Sequence, residues 1–316
     1  MKEQSLKYAL GKGNQIIQGM KNQKTAKLYK KHIEKFCQWA ADQGIKRPSQ
    51  LIARYGDYQA AIQAWADYLI SQGKTASTIH TYLAGVCKAT GVSIALIVKP
   101  KRITSDNIRS RTDPERNDRG QQEADSGKYD GLIDFQSRVG IRRAELKRLT
   151  GKDLVTDIAG NVCVHVRKGK GGKEQLQVIL PDDVQAVKAY FDGTDEKLFD
   201  SQMMKNHIDL HAIRADHARK CYDYYCNLTP AAREALRQDL VTRFILFHPW
   251  KDHSRKIEAF RKDTEGVYRL RGNNRRLAIA KGLPTEYDKL ALMAVSVYHL
   301  SHWRLDVTVS NYMLSV

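Results

Sequence analysis

Residues 161–180 have the sequence NVCVHVRKGKGGKEQLQVIL, which contains two short runs of alternating apolar and polar residues. The runs are residues 161–166 and residues 175–180, and the Gly- and Lys-rich segment 167–173 separates them. Alternation with a period of two is typical of half-buried strands, and a Gly-rich connection between such runs indicates a hairpin. We therefore expect an antiparallel β-hairpin with a basic tip.

Helical periodicity dominates the rest of the chain. Before the hairpin, apolar residues recur at helical spacing over residues 29–40, 62–70 and 79–86, and a helix-like stretch covers residues 132–149. Helical patterns resume after the hairpin and continue to the end. The expected fold class is therefore mainly α: an N-terminal helical domain followed by a mixed α/β, mainly helical domain with a small antiparallel sheet.

A change in composition divides these domains. Residues 99–120 (KPKRITSDNIRSRTDPERNDRG) contain two prolines, almost no apolar residues and charges of both signs. Such a composition is typical of a linker. We expect a helical domain over residues 1–98, a linker over 99–120 and a second domain over 121–316.

Overall charge suggests a polyanionic partner. The 316 residues include 53 Lys and Arg against 35 Asp and Glu, a formal net charge of +18. Nucleic acid is the first candidate for such a surplus. No run of about 18 apolar residues is present and the N-terminus lacks the apolar core of a signal peptide, so we expect no membrane partner and a cytoplasmic location. Five scattered cysteines favour reduced thiols over a disulfide framework.

Four clusters in the second domain could carry chemistry. Taken singly, each has an ordinary explanation: a surface ion pair, a solvated turn or a structural histidine. Two of them pair residues three positions apart, which are neighbours on one face of a helix. The clusters are Arg142 with Glu145, the hairpin lysines Lys168, Lys170 and Lys173, His211 with Arg214, and His302 followed by Tyr312.

The order of these clusters resembles that of the tyrosine recombinase (phage integrase) family. Residues 140–146 (GIRRAEL) are similar to the family's first arginine box, and residues 169–174 are similar to the hairpin that carries its lysine. His211-Ala-Ile-Arg214 resembles the His-x-x-Arg box, and residues 300–312 resemble the last box with its tyrosine. The N-terminal helices resemble the family's core-binding (SAM-like) domain. The resemblance covers most of the chain.

The resemblance implies a site-specific DNA recombinase, an integrase or transposase of a mobile element. Such an enzyme cleaves and rejoins DNA through a 3′-phosphotyrosine intermediate, without a metal, ATP or another cofactor. It would act on double-stranded DNA with specific recombination sites, as a tetramer on that DNA and with DNA-bending accessory proteins, in the nucleoid. The residues implied are Arg142, Lys170, His211, Arg214, His302 and Tyr312 for catalysis, with Glu145 in support. The basic residues that we expect to bind DNA are Lys168, Lys173, Arg143, Arg275 and Arg276.

These residue types suit attack on a phosphodiester. Two planar guanidiniums grip the non-bridging oxygens through paired donors and stabilise the charge of the transition state. A tyrosine hydroxyl is a weak nucleophile until cationic neighbours favour the phenolate. By the resemblance, Lys170 gives a proton to the leaving 5′ oxygen, and His211 and His302 hold the phosphate and assist proton transfer.

Several alternatives stay open at the level of sequence. Arg143 could replace Arg142, and Lys168 or Lys173 could replace Lys170, if the alignment of the motifs is shifted. His217, Cys221 and Cys226 could suggest zinc, yet a fourth ligand is missing from the pattern, so buried thiols are the better interpretation. An accessory DNA-binding protein of the same fold, or a type IB topoisomerase, is the alternative function.

Two departures from the family pattern stand out. Ser301 occupies the position of the usual glycine before the histidine, a change that needs only a tolerable backbone angle. The separation of Arg214 from His302 is also long, which predicts an insertion over about residues 228–284. Its segment 251–282 holds ten Lys and Arg against four Asp and Glu. We favour an additional DNA-contacting element over a solvated face.

Overall fold

The computed structural model describes residues 3–103, 114–169, 172–248 and 253–315. The chain divides into two compact units, Met1–Asn107 and Ile108–Val316. Their boundary falls inside the segment that the sequence analysis assigned to a linker. The last part of that segment is helical, because α6 (Pro114–Asp125) begins within it. Proline suits the first turn of a helix, where its missing N–H is not needed, and Pro114 is the first residue of α6.

The first unit is a bundle of helices. Side-chain oxygens of Asn22, Asp57 and Thr75 accept hydrogen bonds from backbone N–H groups at the starts of three of its helices, which satisfies donors that a helix leaves unpaired. The helices are α1 (Gln15–Gln18), α2 (Gln23–Ala41), α3 (Pro48–Tyr55), α4 (Tyr58–Ser71) and α5 (Ala76–Thr90), with a π-helical turn at Tyr8–Lys12 and a 3₁₀ turn at Ile94–Leu96.

Aromatic and aliphatic side chains fill the centre of this bundle. Phe36 and Trp65 meet edge to face with ring centroids 5.2 Å apart, and Trp65 stacks on Tyr82 at 6.3 Å. Ile62 and Leu83 are fully buried beside them. The apolar cluster of this unit consists of its own residues alone, so the unit has an independent core.

The second unit is mainly helical with two small antiparallel sheets. Its helices are α6, α7 (Asp130–Val139), α8 (Arg143–Leu146), α9 (Val184–Lys188), α10 (Leu210–Cys226), α11 (Pro230–Phe247), α12 (His253–Lys262), α13 (Gly272–Ala280), α14 (Lys289–Ala294) and α15 (Leu305–Thr308). Two of them continue as π-helical turns: α14 into Val295–Leu300 and α15 into Val309–Met313. Short 3₁₀ turns lie at Pro181–Asp183 and Met203–Lys205.

The expected hairpin forms and gains a third strand. Strands β1 (Leu154–Thr156), β2 (Val162–Val166) and β3 (Gln175–Val178) pair in that order, antiparallel throughout. Val166 lies opposite Gln175, next to the hairpin connection. Strand β4 (Val267–Arg269), in the expected insertion, and strand β5 (Glu286–Asp288), just after it, form a separate antiparallel pair.

One helix expected from the sequence is divided in two. The stretch 132–149 breaks after α7 because Gly140 adopts a left-handed conformation (φ 64°) and ends that helix, and α8 starts three residues later. A β-carbon at this position would lie 2.3 Å from Cδ2 of His217, so close packing also requires glycine there. Because of the break, Arg142 lies outside both helices and has an extended backbone just before α8. In the described part of the chain, no helix is both long enough and apolar enough to cross a membrane.

Candidate functional site

Arg142 and Glu145 form an ion pair at the start of α8. The backbone N–H of Arg142 donates to Glu145 Oε2 at 3.1 Å, and its Nη1 donates to Glu145 Oε1 at 2.8 Å. The Glu145 side chain is 2% exposed and that of Arg142 is 21% exposed. A carboxylate buried to this degree fixes the orientation of the guanidinium, which still reaches the surface.

Arg214 is the most deeply buried cation of the site. It lies in the first turns of α10 and its side chain has no solvent exposure. Its Nη2 donates to the Leu300 carbonyl at 3.1 Å, while Nε and Nη1 have no hydrogen-bond partner among the described residues. The nearest carboxylate oxygen, Glu145 Oε2, lies 3.9 Å from Nη1. Burial lowers the pKa of Arg214, and Tyr312 and Glu145 partly offset this effect.

The backbone carbonyl of Leu300 joins the two arginines. Arg142 Nη2 donates to it at 3.0 Å, close to the distance of the corresponding bond from Arg214. Arg142 Nη2 also lies 3.5 Å from His302 Nε2. Two guanidiniums that share one oxygen acceptor are spaced to share an oxygen of a bound anion as well.

Tyr312 lies in the π-helical turn after α15 and contacts three of the predicted residues. Its hydroxyl is 3.2 Å from His302 Nε2, and its ring centroid is 5.8 Å from Cζ of Arg214. The ring of His211, an exposed residue on the first turn of α10, has its centroid 5.5 Å from that of Tyr312. The structure thus brings Arg142, Glu145, His211, Arg214, His302 and Tyr312 together.

The loop that carries His302 has an unusual backbone. Ser301 and Trp303, on either side of the histidine, both adopt left-handed conformations, with φ of 54° and 56°. The N–H of His302 donates to the Ser296 carbonyl at 2.9 Å, and Ser296 Oγ accepts from the N–H of Arg304. The sequence analysis expected Ser301 to need only a tolerable backbone angle. The observed left-handed conformation is unfavourable for a non-glycine residue, so this serine costs more than expected.

An open cleft of about 750 Å³ leads to these residues. Arg142, Ser301 and His302 lie along it, together with Lys173 of the hairpin and the aromatic rings of His248 and Trp303. The cations along the cleft match a negatively charged ligand. The His302 side of the site is therefore open to a large ligand.

The hairpin lysines are described only in part. Lys170, the predicted proton donor, lies outside the described residues. Lys168 and Lys173 are both exposed and flank the hairpin connection, and the N–H of Gly169 donates to the Lys173 carbonyl at 2.7 Å. The hairpin therefore presents Lys173 on the cleft and Lys168 at the surface.

Arg143 has a different environment from the one expected of a DNA-binding residue. Its guanidinium donates to backbone carbonyls of Met204, Asn206 and Ile208, the Asn206 bond being 3.2 Å long. Burial lowers the pKa of Arg143. Through these bonds the Arg143 side chain holds the loop before α10. Of the two neighbouring arginines, Arg142 is the one that contacts His302.

Arg275 and Arg276 are both exposed on α13. The neighbouring Asn274 donates from Nδ2 to Ser310 Oγ at 3.1 Å, and Ser310 lies in the same π-helical turn as Tyr312. The insertion therefore packs against the element that carries the tyrosine, and it places two exposed cations close to that element.

Beneath the site lies a buried cluster that the sequence analysis only partly identified. His217 Nδ1 donates to the Ser137 carbonyl at 3.0 Å, so its Nε2 is the acceptor facing His299 Nδ1 at 3.1 Å. The Tyr225 hydroxyl lies 2.9 Å from His299 Nε2. Burial lowers the pKa of His217 to about 4 and also lowers that of His299. All three side chains are thus satisfied in neutral form.

Zinc is a poor fit to this cluster. His217, Cys221 and His299 place their ligand atoms within 4.8 Å of one another, whereas Cys226 is not a member of the set. The described residues offer three ligands where a structural zinc site uses four, and the cation of Arg214 nearby disfavours a second positive charge. Burial also raises the pKa of Cys221, which opposes the thiolate that a metal needs. The expectation of a buried thiol is met by Cys221, whereas Cys226 is only half-buried.

Sequence reasoning missed His299, Tyr225 and the Leu300 carbonyl. A backbone carbonyl has no sequence signal. His299 precedes His302 by three residues, yet no periodic pattern connects it with α10, which is distant in sequence. Comparisons of this chain with protein-family models, with curated proteins and with solved structures found no match.

Proposed function

We propose that this protein is a tyrosine-type site-specific DNA recombinase whose first unit is a core-binding domain. One observation carries the proposal: the fully buried Arg214 shares an acceptor with Arg142, has an Nε and an Nη1 without a hydrogen-bond partner among the described residues, and lies with its Cζ 5.8 Å from the ring centroid of Tyr312. Unpaired donors on a buried guanidinium are costly unless an anion completes them. A phosphate oxygen would satisfy that need, and the Tyr312 hydroxyl is the proposed nucleophile.

The proposed reaction follows from these positions. The Tyr312 oxygen attacks phosphorus and forms the phosphotyrosine bond, while the bond from phosphorus to the 5′ oxygen breaks. His302 Nε2, 3.2 Å from the hydroxyl, is within reach to accept the tyrosine proton. Arg142 and Arg214 stabilise the charge on the non-bridging oxygens. Lys170, by the family resemblance, protonates the leaving 5′ oxygen.

Covalent capture of DNA tests this proposal. Duplexes that the full-length protein binds are selected from a random library, nicked at successive positions and incubated with the protein, so that a released fragment cannot rejoin. We expect a complex that survives denaturing electrophoresis with the wild type and is absent for Tyr312→Phe. Tyr224→Phe, which alters a half-buried tyrosine of α10 away from the cleft, is the matched control and should retain the complex.

Two outcomes would contradict the proposal. No covalent complex at any nick position would remove the recombinase activity and favour a DNA-binding accessory protein. A complex that persists with Tyr312→Phe would assign the nucleophile to another residue. The tetramer on paired DNA sites, also part of the proposal, is checked by light scattering of the covalent complex.

A further inference from the structure

Two buried glutamines connect the segments that carry the candidate catalytic residues. Gln136 lies in α7 and Gln177 in β3, and both have no solvent exposure. Burial of a primary amide is unfavourable unless its donors and its acceptor are all paired. Both amides meet that condition: their nitrogens donate to backbone carbonyls next to the site, and their oxygens accept from a backbone N–H in one case and from the Gln175 side chain in the other.

Gln136 joins the arginine segment to the start of α10. Its Nε2 donates to the carbonyls of Ile141 at 2.7 Å and Leu210 at 2.8 Å, and its Oε1 accepts from the N–H of Ile141 at 3.1 Å. Ile141 directly precedes Arg142, and Leu210 directly precedes His211. One side chain therefore fixes the distance between these two parts of the site.

Gln177 joins the same arginine segment to the histidine loop. Its Nε2 donates to the carbonyls of Val139 at 2.6 Å and His299 at 2.7 Å. Its Oε1 accepts a bond from the side chain of Gln175. Val139 and His299 each lie three residues before a member of the site, Arg142 and His302 respectively. Segment 139–141 is thus held by both glutamines.

We propose that Gln136 and Gln177 are positioning residues that hold three chain segments, 139–141, 210 and 299, at the spacing the site needs. The Nε2 of each glutamine donates to two backbone carbonyls, so both of its hydrogens are used. The nitrogen of each side-chain amide, and not its oxygen, must therefore face these carbonyls. An apolar replacement of similar size would remove two hydrogen bonds to buried carbonyls. The two guanidiniums reach one oxygen only while this spacing holds, and in this respect the proposal rests on the proposed function.

Hydrogen exchange tests the connections without any DNA. In full-length Gln177→Met, we expect backbone exchange to rise at least tenfold in peptides covering 139–146 and 296–304, and to change little over 208–215. In Gln136→Met, the peptides 139–146 and 208–215 should exchange faster while 296–304 does not. Val187→Ala, a fully buried apolar variant in α9, is the control for general destabilisation. A uniform rise in both glutamine variants would overturn the proposal.

Single-turnover cleavage tests the consequence for chemistry. With the nicked duplex described above, each glutamine variant should lose at least tenfold in the rate of covalent-complex formation while its Kd for the duplex stays within twofold of wild type. Val187→Ala, at a comparable fall in Tm, should keep its rate. Equal loss in the control would reduce the glutamines to a stabilising role. If wild type forms no complex, the proposed function fails, and the paired exchange pattern still decides whether the segments are connected.

Discussion

Ser301 has a β-carbon at a position where the backbone is left-handed. For an L-residue this conformation costs about 1–2 kcal/mol, whereas glycine adopts it freely at the cost of a more flexible unfolded chain. We therefore expect Ser301→Gly to stabilise the protein by about 0.5–1 kcal/mol. Ser301→Ala keeps the β-carbon and should bring no such gain. Urea unfolding of both variants checks this, and a destabilised Ser301→Gly would contradict it.

The buried histidines His217 and His299 make stability depend on pH. Their pKa values are lowered in the folded state because burial and the nearby Arg214 oppose a positive charge. The unfolded chain therefore binds protons that the folded chain rejects, so stability is complete above about pH 6.5 and falls as the pH decreases towards 4. Each histidine contributes a slope of up to about 1.4 kcal/mol per pH unit within that range.

Denaturation midpoints at pH 7.5, 6.5 and 5.5 measure this slope. His217→Gln, which has no group to protonate in this range, should show a smaller loss between pH 6.5 and 5.5 than wild type. His80→Gln, in the other unit, is the control and should leave the slope as it is. A wild-type stability that is constant over this range would show that the cluster tolerates protonation.

At the residue scale, the sequence could identify side chains by spacing but could not identify their partners. Arg142, Glu145 and Arg214 were predicted from motif positions, and the structure places them within one site. The acceptor they share is a main-chain carbonyl, which no residue type reveals. The same limit applies to Arg143, whose bonds to three carbonyls depend on how the loop before α10 folds.

The hairpin between β2 and β3 is the element that should deliver a proton in the proposed reaction. We expect Lys170→Ala to lose at least a hundredfold in cleavage of ordinary DNA, because the 5′ oxygen is a poor leaving group without a proton. A duplex in which sulfur replaces that bridging oxygen should restore most of the rate, since a thiolate leaves without protonation. Lys173→Ala is the matched control on the same hairpin and should show no such selective rescue. Equal loss on both substrates would assign Lys170 to DNA binding instead.

Helix α13 gives the basic insertion a specific candidate surface for DNA. Arg275 and Arg276 are exposed on it, and Asn274 connects it to the turn that carries Tyr312. If each arginine neutralises one phosphate, the double change to Gln should reduce the slope of log K against log salt by about two. The double variant Lys188→Gln and Lys205→Gln removes the same charge elsewhere in the unit. Equal slopes in both double variants would show a general charge effect rather than a contact.

At the element scale, prediction succeeded where a pattern was both local and regular. The mainly helical class and the hairpin follow from periodicity, and both are present. Strand β1 was missed because three residues are too short to show alternation, and its pairing with β2 is what makes it a strand. The division of residues 132–149 depends on Gly140, whose left-handed backbone and contact with His217 are tertiary features.

For the whole molecule, each unit contains enough buried apolar surface to be considered separately. The first unit has one core of its own residues, and two apolar clusters fill the second. Composition alone placed a boundary near residue 100, which the division after Asn107 approaches. The net charge predicted a polyanionic partner for the molecule. It could not show which helices or strands would bind that partner, because sequence does not reveal which cations lie exposed on one face.

The independence of the first core leads to a prediction for a fragment. Residues 1–103 should unfold cooperatively on their own, since a unit of this size with buried Phe36, Trp65 and Ile62 can sustain a fold. Urea transitions followed by tryptophan fluorescence and by circular dichroism should coincide. Ile62→Ala, which empties space at the centre of the bundle, should lower the free energy of unfolding by about 3 kcal/mol, and exposed Ile70→Ala should change it by less than about 1 kcal/mol. A gradual transition, insensitive to Ile62→Ala, would mean that this bundle acquires its structure only within the complete chain.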